Sequence, residues 1–365
     1  MKVSILRENL AKALSVCGRV VTTRGSLEIL SNVMISTEAG RLKISATNLE
    51  VGVNYWVGAK VETEGALTVP ARLITDVVTS INSEKVVLET EEMTLHVNSD
   101  NDKLSIKGIS VEEFPLIPSI ETSALTISAK VLREALSQVT FAAALDEARP
   151  VLSGVYFLVE GDVLTLAATD SYRLAEKVIK LEKKVADKIE VIIPARALIE
   201  LSRTLADITG EIRIGVSDNQ VLFAADEVEF TSRLIDGNFP NYKQIIPDSN
   251  DTKALVKASE LAGVLKVATL FARESANSIN IFVRSKGKIE VSATSSQVGD
   301  SSSTIEAEVE GKDGDISFNG KYILDVLSNV KEEKITFEIS GKLNPGVIRL
   351  EGKTDYTYII MPLRS

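Results

Sequence analysis

One pattern recurs three times along the chain, and it limits the possible folds more than any other feature. A phrase leading into a helix reads LTVPARLITDVV at 67–78, VIIPARALIELS at 191–202 and ISFNGKYILDVL at 316–327. A small-residue turn recurs with it, as SATN at 45–48, AATD at 167–170 and SATS at 292–295. Corresponding points (Ala46, Ala168, Ala293; Pro70, Pro194, Asn319) stand 122 to 125 residues apart. That period is far longer than the roughly 20–50 residues of a solenoid unit. The chain is therefore expected to hold three whole domains of one design, over 1–122, 123–250 and 251–365.

Each copy opens on an amphipathic helix, expected over 6–20, 129–143 and 258–273. Leu10, Ala13, Leu14 and Cys17 share one face of the first, and Val131, Leu132, Ala135, Leu136 and Val139 one face of the second. Leu261, Val264, Leu265 and Ala268 repeat the spacing in the third. Alternating strands follow, then the second, shorter helix. Pro70 and Pro194 suit the head of that helix, where a missing N–H costs nothing, and Asn319 offers a side-chain cap in the third copy. The fold class is α+β: three repeated domains, each two helices packed on antiparallel β-sheets.

Composition narrows the function. With 365 residues, 44% hydrophobic and 25% charged, the chain has apolar mass for several cores. It lacks an apolar run of membrane-spanning length, and charges interrupt the first residues where a signal peptide would be apolar. A single cysteine, Cys17, argues for a reducing, cytoplasmic setting, so no membrane partner is expected. One histidine, His96, lies in the alternating stretch MTLHVNSD, which reads as a strand. Neither a histidine-dependent nucleophile nor a zinc site can be assembled from these two residues, and no phosphate-cradling glycine motif occurs. No catalytic residue, metal or cofactor is nominated.

Charge is sorted unevenly. The net charge is −10, which by itself argues against nucleic acid. Yet the six helix windows 7–19, 71–82, 129–140, 195–204, 257–273 and 320–331 carry 13 Lys and Arg against six acids, leaving −17 for the remainder. A shared basic face would suit a polyanion tracked through its backbone. Few helical aromatics are available for stacking on bases, so duplex is favoured over single strand. If helices packed about 9 Å apart line a ring, six leave a hole of roughly 7 Å after subtracting a helix diameter of about 10 Å, narrower than the ~12 Å major groove alone. Twelve leave roughly 24 Å by the same estimate. A ring threaded by duplex DNA needs two such chains.

At this point the chain resembles, over essentially its full length, the bacterial DNA polymerase III beta subunit family of replicative sliding clamps. The phrases that carry the resemblance are ATDSYRLA at 168–175, VIIPARALIEL at 191–201, DGNFPNY at 236–242, FNGKYILDVL at 318–327 and YTYIIMPLR at 356–364. The resemblance implies a head-to-tail homodimeric ring around double-stranded DNA, without catalysis. Its implied partners are the replicative polymerase's catalytic subunit, the clamp loader and other proteins bearing a clamp-binding motif.

It also implies sites. A hydrophobic peptide pocket would be formed by Leu152, Thr169, Ser171, Tyr172, Arg173 and Leu174, by Pro240 and Ile245, by Asn319 and Tyr322, and by Ile359, Ile360, Met361, Pro362, Leu363 and Arg364. Ser171 stands where some members have Gly, Gln244 where some have Arg, and Ala276 where some have Phe. Arg24, Arg72, Arg149 and Arg196 are the implied DNA contacts. Leu104 and Ile106 would meet Leu270 and Phe271 of a second copy, with Lys103 and Lys107 near acids such as Asp300. Two other readings stay open from the residues alone: a monomeric adaptor using the same pocket, and a hydrolase using scattered carboxylates.

Overall fold

The structure, a computed structural model, describes residues 1–22, 27–119, 123–146 and 148–363. Alternation of apolar and polar residues sets its strands. In Ser278–Arg284, for instance, Ile279, Ile281 and Val283 are buried while their neighbours are partly exposed. The described residues contain six α-helices: α1 (Arg7–Gly18), α2 (Ala71–Ser80), α3 (Ala129–Val139), α4 (Ala195–Thr204), α5 (Ala258–Phe271) and α6 (Gly320–Asn329). They are two per sequence repeat.

The long helices end sooner than their patterns suggest. The apolar spacing of the second continues to residue 143, but Thr140–Ala142 forms a 3₁₀ turn, and α1 and α5 stop two residues short of the expected 20 and 273. Burial of the following apolar residues sustains the pattern where helical hydrogen bonding has ended. Pro70 and Pro194 are the final residues of strands Ala66–Pro70 and Ile189–Pro194, with the helix starting at the next residue. Asn319 does cap: its side-chain oxygen accepts the Lys321 N–H at 3.0 Å. His96 sits on strand Thr94–Asn98, with Nδ1 3.0 Å from Ser105 Oγ.

The chain packs as two compact units, Met1–Leu132 with Glu200–Leu234, and Arg133–Ile199 with Ile235–Ser365. The first holds a five-stranded sheet in the order Lys60–Thr63, Lys2–Leu6, Lys85–Glu91, Thr94–Asn98, Lys103–Lys107. Its eight-stranded sheet runs Leu125–Ser128, Glu211–Val216, Gln220–Ala224, Val228–Arg233, Val51–Val57, Arg41–Thr47, Asn32–Glu38, Ala66–Pro70. Four of these strands come from the first repeat and four from the second. They join where Phe230 pairs with Val53 in antiparallel register.

The second unit repeats the device. Its nine-stranded sheet joins the repeats by pairing Arg173–Lys180 with the final strand Tyr356–Ile360, and Lys288–Ser295 lies in a separate four-stranded sheet. Compactness thus follows the continuous sheets rather than the sequence period.

In the first unit Leu10, Ala13, Leu14 and Cys17 of α1 are fully buried. The Cys17 thiol donates to the Ile44 carbonyl oxygen at 3.4 Å, and burial pushes its pKa up, keeping it protonated. Leu14→Ala removes side-chain volume from this core and should destabilise the first unit by about 2–5 kcal/mol. Trp56, the one tryptophan, lies in the same unit, so a lowered denaturant midpoint in its fluorescence checks the outcome.

Candidate functional site

The expected pocket residues converge in the second unit around one turn. Strand Val163–Thr169 reverses into Arg173–Lys180, and Asp170 organises the reversal. Its Oδ1 accepts the N–H groups of Tyr172 at 2.9 Å and Arg173 at 3.0 Å. The Thr169 hydroxyl donates to the Arg173 carbonyl oxygen at 2.6 Å and accepts the Ser171 N–H at 3.1 Å. A short polar side chain that bonds its own downstream backbone favours a turn over a continued strand. The turn places Ser171 at φ +78°, in the left-handed region where glycine is easiest, which accounts for Gly at this position in some family members.

Arg173 is locked from several sides. Its Nε donates to Asp170 Oδ2 at 2.9 Å and its Nη1 to Asp325 of α6. Its guanidinium lies 4.5 Å from the Tyr322 ring centroid and 5.7 Å from that of Phe141. Burial, with the nearby Asp170, pushes the Tyr322 phenol up, so it stays a neutral hydroxyl. Tyr358 reinforces the same helix by donating its hydroxyl to the Tyr322 carbonyl oxygen at 2.8 Å.

The chain end closes one side. Beyond strand Tyr356–Ile360 the Met361 N–H donates to the Tyr172 carbonyl oxygen, and the Leu363 N–H to that of Ser317, each at 2.8 Å. These bonds tie Met361 and Leu363 to the turn and to the lead-in to α6, and Met361, Pro362 and Leu363 are all half-buried. Segment 239–246 packs against the same core cluster as Leu174 and Ile359. Phe239 stacks on Tyr156 at 5.1 Å between centroids, and Tyr242 meets both rings edge-on. The Tyr242 hydroxyl and Lys243 ammonium both donate to Glu176.

Not every expected pocket residue offers surface. Leu174 and Ile359 have none, being packed in one core cluster with Ala167 and Tyr242, and Ile360 is equally buried. They support the groove from beneath, and Leu152 and Thr169 are also buried. Contact surface comes from Tyr172, 59% exposed, Ile245, 40% exposed, Pro240 and the half-buried tail. Asn319, half-buried, commits its side-chain oxygen to capping α6. Gln244 and Ala276 are exposed. Arg364 lies outside the described residues, as does Arg24.

The remaining basic candidates separate. Arg149 is exposed, and its Nη1 donates to Ser171 Oγ at 2.9 Å, so it borders the groove turn. Arg72 in the first turn of α2 and Arg196 in that of α4 are exposed, and Arg196 is not without an interaction partner. The helices themselves carry nine basic against six acidic residues, a smaller excess than the sequence windows, because Arg19, Lys257, Arg273 and Lys331 fall just outside them.

Of the expected contact residues for a second copy, Leu270 is 55% exposed and Leu104 37%, whereas Ile106 is only 3% exposed. Leu104 and Ile106 share one face of strand Lys103–Lys107. Ile106, opposite Leu95, is covered by its own unit. Leu104 instead lines a concavity of about 280 Å³ with Asp76, Val77, Ser80, Ile81 and Asp102. Sequence reasoning missed Asp170, Asp325, Phe141, Phe239 and Tyr242 as the groove's supports. The signal for Asp170 was its place between two strands, a position where Asp makes turns.

Comparison with known proteins gives a consistent pattern. The description "DNA polymerase III beta subunit" matches in three parts: N-terminal domain at 1–118, central domain at 126–241 and C-terminal domain at 243–364. The "Beta sliding clamp" of Staphylococcus aureus is 29% identical over 376 residues, covering all of both chains. Among solved structures, the DNA polymerase sliding clamp from Bacillus subtilis superposes with a TM-score of 0.95 at 28% identity, over 100% of this chain and 99% of that one. The DNA polymerase III beta subunit from Pseudomonas aeruginosa does so with a TM-score of 0.94 at 27% identity, over 100% of each.

Asp170→Ala should unfasten the turn and Arg173 together. Loss of charge-assisted bonds predicts a destabilisation of about 2 kcal/mol. A denaturant titration of the variant measures it, and Asp170→Asn, which keeps an acceptor for the two N–H groups, should lose less.

Proposed function

Because the chain belongs to the DNA polymerase III beta subunit family, we propose that it acts as a sliding clamp. Two copies join head to tail around duplex DNA without reading its sequence, and the ring tethers the replicative polymerase, the clamp loader and other motif-bearing proteins. It performs no chemistry of its own and works in the cytoplasm. The domains are the three sequence repeats, with boundaries near residues 123 and 251.

The observation that carries the tethering role is the groove built on the Asp170 turn. Exposed Tyr172 and Ile245, the half-buried tail at 361–363 tied down by two backbone bonds, and the clamped Arg173 are the groups that such a site would offer a peptide. Met361 supplies a deformable wall suited to partners of differing sequence. A short extended peptide with bulky apolar side chains is its natural occupant.

Ring closure draws on two open sheet edges. Strand Lys103–Lys107 ends the five-stranded sheet and Gly299–Glu306 ends the four-stranded sheet, each with an unpaired side among the described residues. An exposed edge is a template for another strand. The lysines of the first edge face Asp300 and Glu306 of the second in charge. Helix α5 packs on strand Gly299–Glu306, bringing exposed Leu270 beside that edge. The concavity next to Leu104 is a seat for it in the other copy. Such a contact between unlike surfaces must close by rotation or continue as a filament. For DNA, Arg24, Arg72, Arg149 and Arg196 are the proposed phosphate contacts, each modest and salt-sensitive.

Topological binding is tested directly. After loading on nicked circular DNA, the protein should remain bound at high salt and be lost on linearisation; equal retention on linear DNA would refute encirclement. Leu270→Ala with Phe271→Ala should convert the species from twice the 39.5 kDa chain mass to the chain mass in light scattering. An unchanged dimer would overturn this interface.

A further inference from the structure

The first unit contains a second copy of the groove turn, reproduced bond for bond. Asn48 Oδ1 accepts the N–H groups of Glu50 at 3.0 Å and Val51 at 2.8 Å, as Asp170 does for Tyr172 and Arg173. The Thr47 hydroxyl donates to the Val51 carbonyl oxygen at 2.9 Å and accepts the Leu49 N–H at 3.0 Å, the roles of Thr169. Leu49 stands at φ +75° where Ser171 stands at +78°. The Arg233 N–H donates to the Glu50 carbonyl oxygen at 2.8 Å, matching Met361 on Tyr172.

The departures between the copies are in side chains. Leu49 is 47% exposed in a left-handed conformation that disfavours bulky residues. The first repeat carries FPLIP at 114–118 where the second carries FPNY at 239–242, and Leu116 of the first is 95% exposed. Ile117 lies so close over Gly52 that a Cβ there would come within 2.7 Å of its Cγ2, so glycine is required for this approach. Leu49, Glu50, Leu116, Ile117, Thr231 and Arg233 line a concavity of about 100 Å³. Arg233 is exposed, and no carboxylate is paired with it among the described residues.

We propose that this concavity is a second peptide-docking site, taking an extended segment in which an aliphatic side chain sits beside a carboxylate. The apolar side chain packs on Leu49, Leu116 and Ile117, and the carboxylate pairs with Arg233 where the other groove offers Met361. The inference rests on the peptide-groove reading of the Asp170 turn, whose geometry it shares. It differs in preferring an acidic motif.

The test uses the full-length protein and a fluorescein-labelled peptide, Gly-Asp-Leu-Leu-Asp-Gly, read by fluorescence anisotropy. Leu116→Asp with Arg233→Ser should weaken binding at least about tenfold, and, because both residues are exposed, should leave retention on circular DNA intact. Tyr172→Asp with Met361→Asp should leave a saturable component bound. Unchanged affinity in the Leu116/Arg233 variant overturns the proposal. If binding is lost only in the Tyr172/Met361 variant, the second site fails while the first groove stands. If neither variant changes binding, both readings fail. Concentration-dependent association beyond a dimer that Leu116→Asp abolishes would show a second copy as the occupant, and also overturns the proposal.

Discussion

Backbone pairing between neighbouring repeats is the interaction on which the rest depends. The first and second repeats each leave a strand edge open that the next repeat fills: Val51–Val57 with Val228–Arg233, and Arg173–Lys180 with Tyr356–Ile360. An unpaired edge exposes a row of donors and acceptors that invites the wrong partner, so internal pairing both completes the sheets and fixes the register at each junction. The same pairing brings a turn of one repeat beside the closing strand of the next. Where the final strand leaves the sheet, the Met361 and Leu363 N–H groups bond the Tyr172 and Ser317 carbonyl oxygens.

The turn itself is a local solution that the chain uses twice. A hydroxyl at one position and an Asn or Asp at the next satisfy the backbone groups that a strand reversal would orphan. This leaves the tip residues, Glu50 or Tyr172, free to vary. Function has room to diverge at such points because the scaffold does not depend on the tip side chains. In the Asp170 copy the carboxylate is further recruited to hold Arg173, which Asp325 and two aromatic rings complete. Shared partners of this kind hold the turn and Arg173 in one arrangement, and a preorganised arrangement lowers the ordering cost of any binding.

Electrostatics is secondary to this framework. The helices carry a modest basic excess within an acidic chain, and several of their charges are met locally, as Lys12 is by Asp207 at 3.8 Å and Arg203 by Glu200 at 2.5 Å. A surface that must slide gains from diffuse positive charge and loses from tight, directional grips. Weak local pairing serves that balance, since exposed ion pairs are worth little and yield to a phosphate.

The sequence by itself determined the three repeats, the two helices in each, the buried face of α1 and most of those of α3 and α5 (Val131 is 41% exposed and Val264 half-buried, at the margins of their faces), the strand around His96 and the Asn319 cap. These are local: periodicity, turn chemistry and capping act over a few residues. The groove residues were nominated only through whole phrases matched to a family. Tertiary structure decided what periodicity cannot express. Leu174, Ile359 and Ile360 read like groove walls but are core, because strands from distant repeats cover them. Ile106 and Leu104 share a strand face, yet only Leu104 is open, since exposure depends on which neighbour lies across the sheet. Compact units cut across the repeats for the same reason: hydrogen bonds between strands join residues 177 positions apart, as Phe230 and Val53 are, and no local pattern records that pairing.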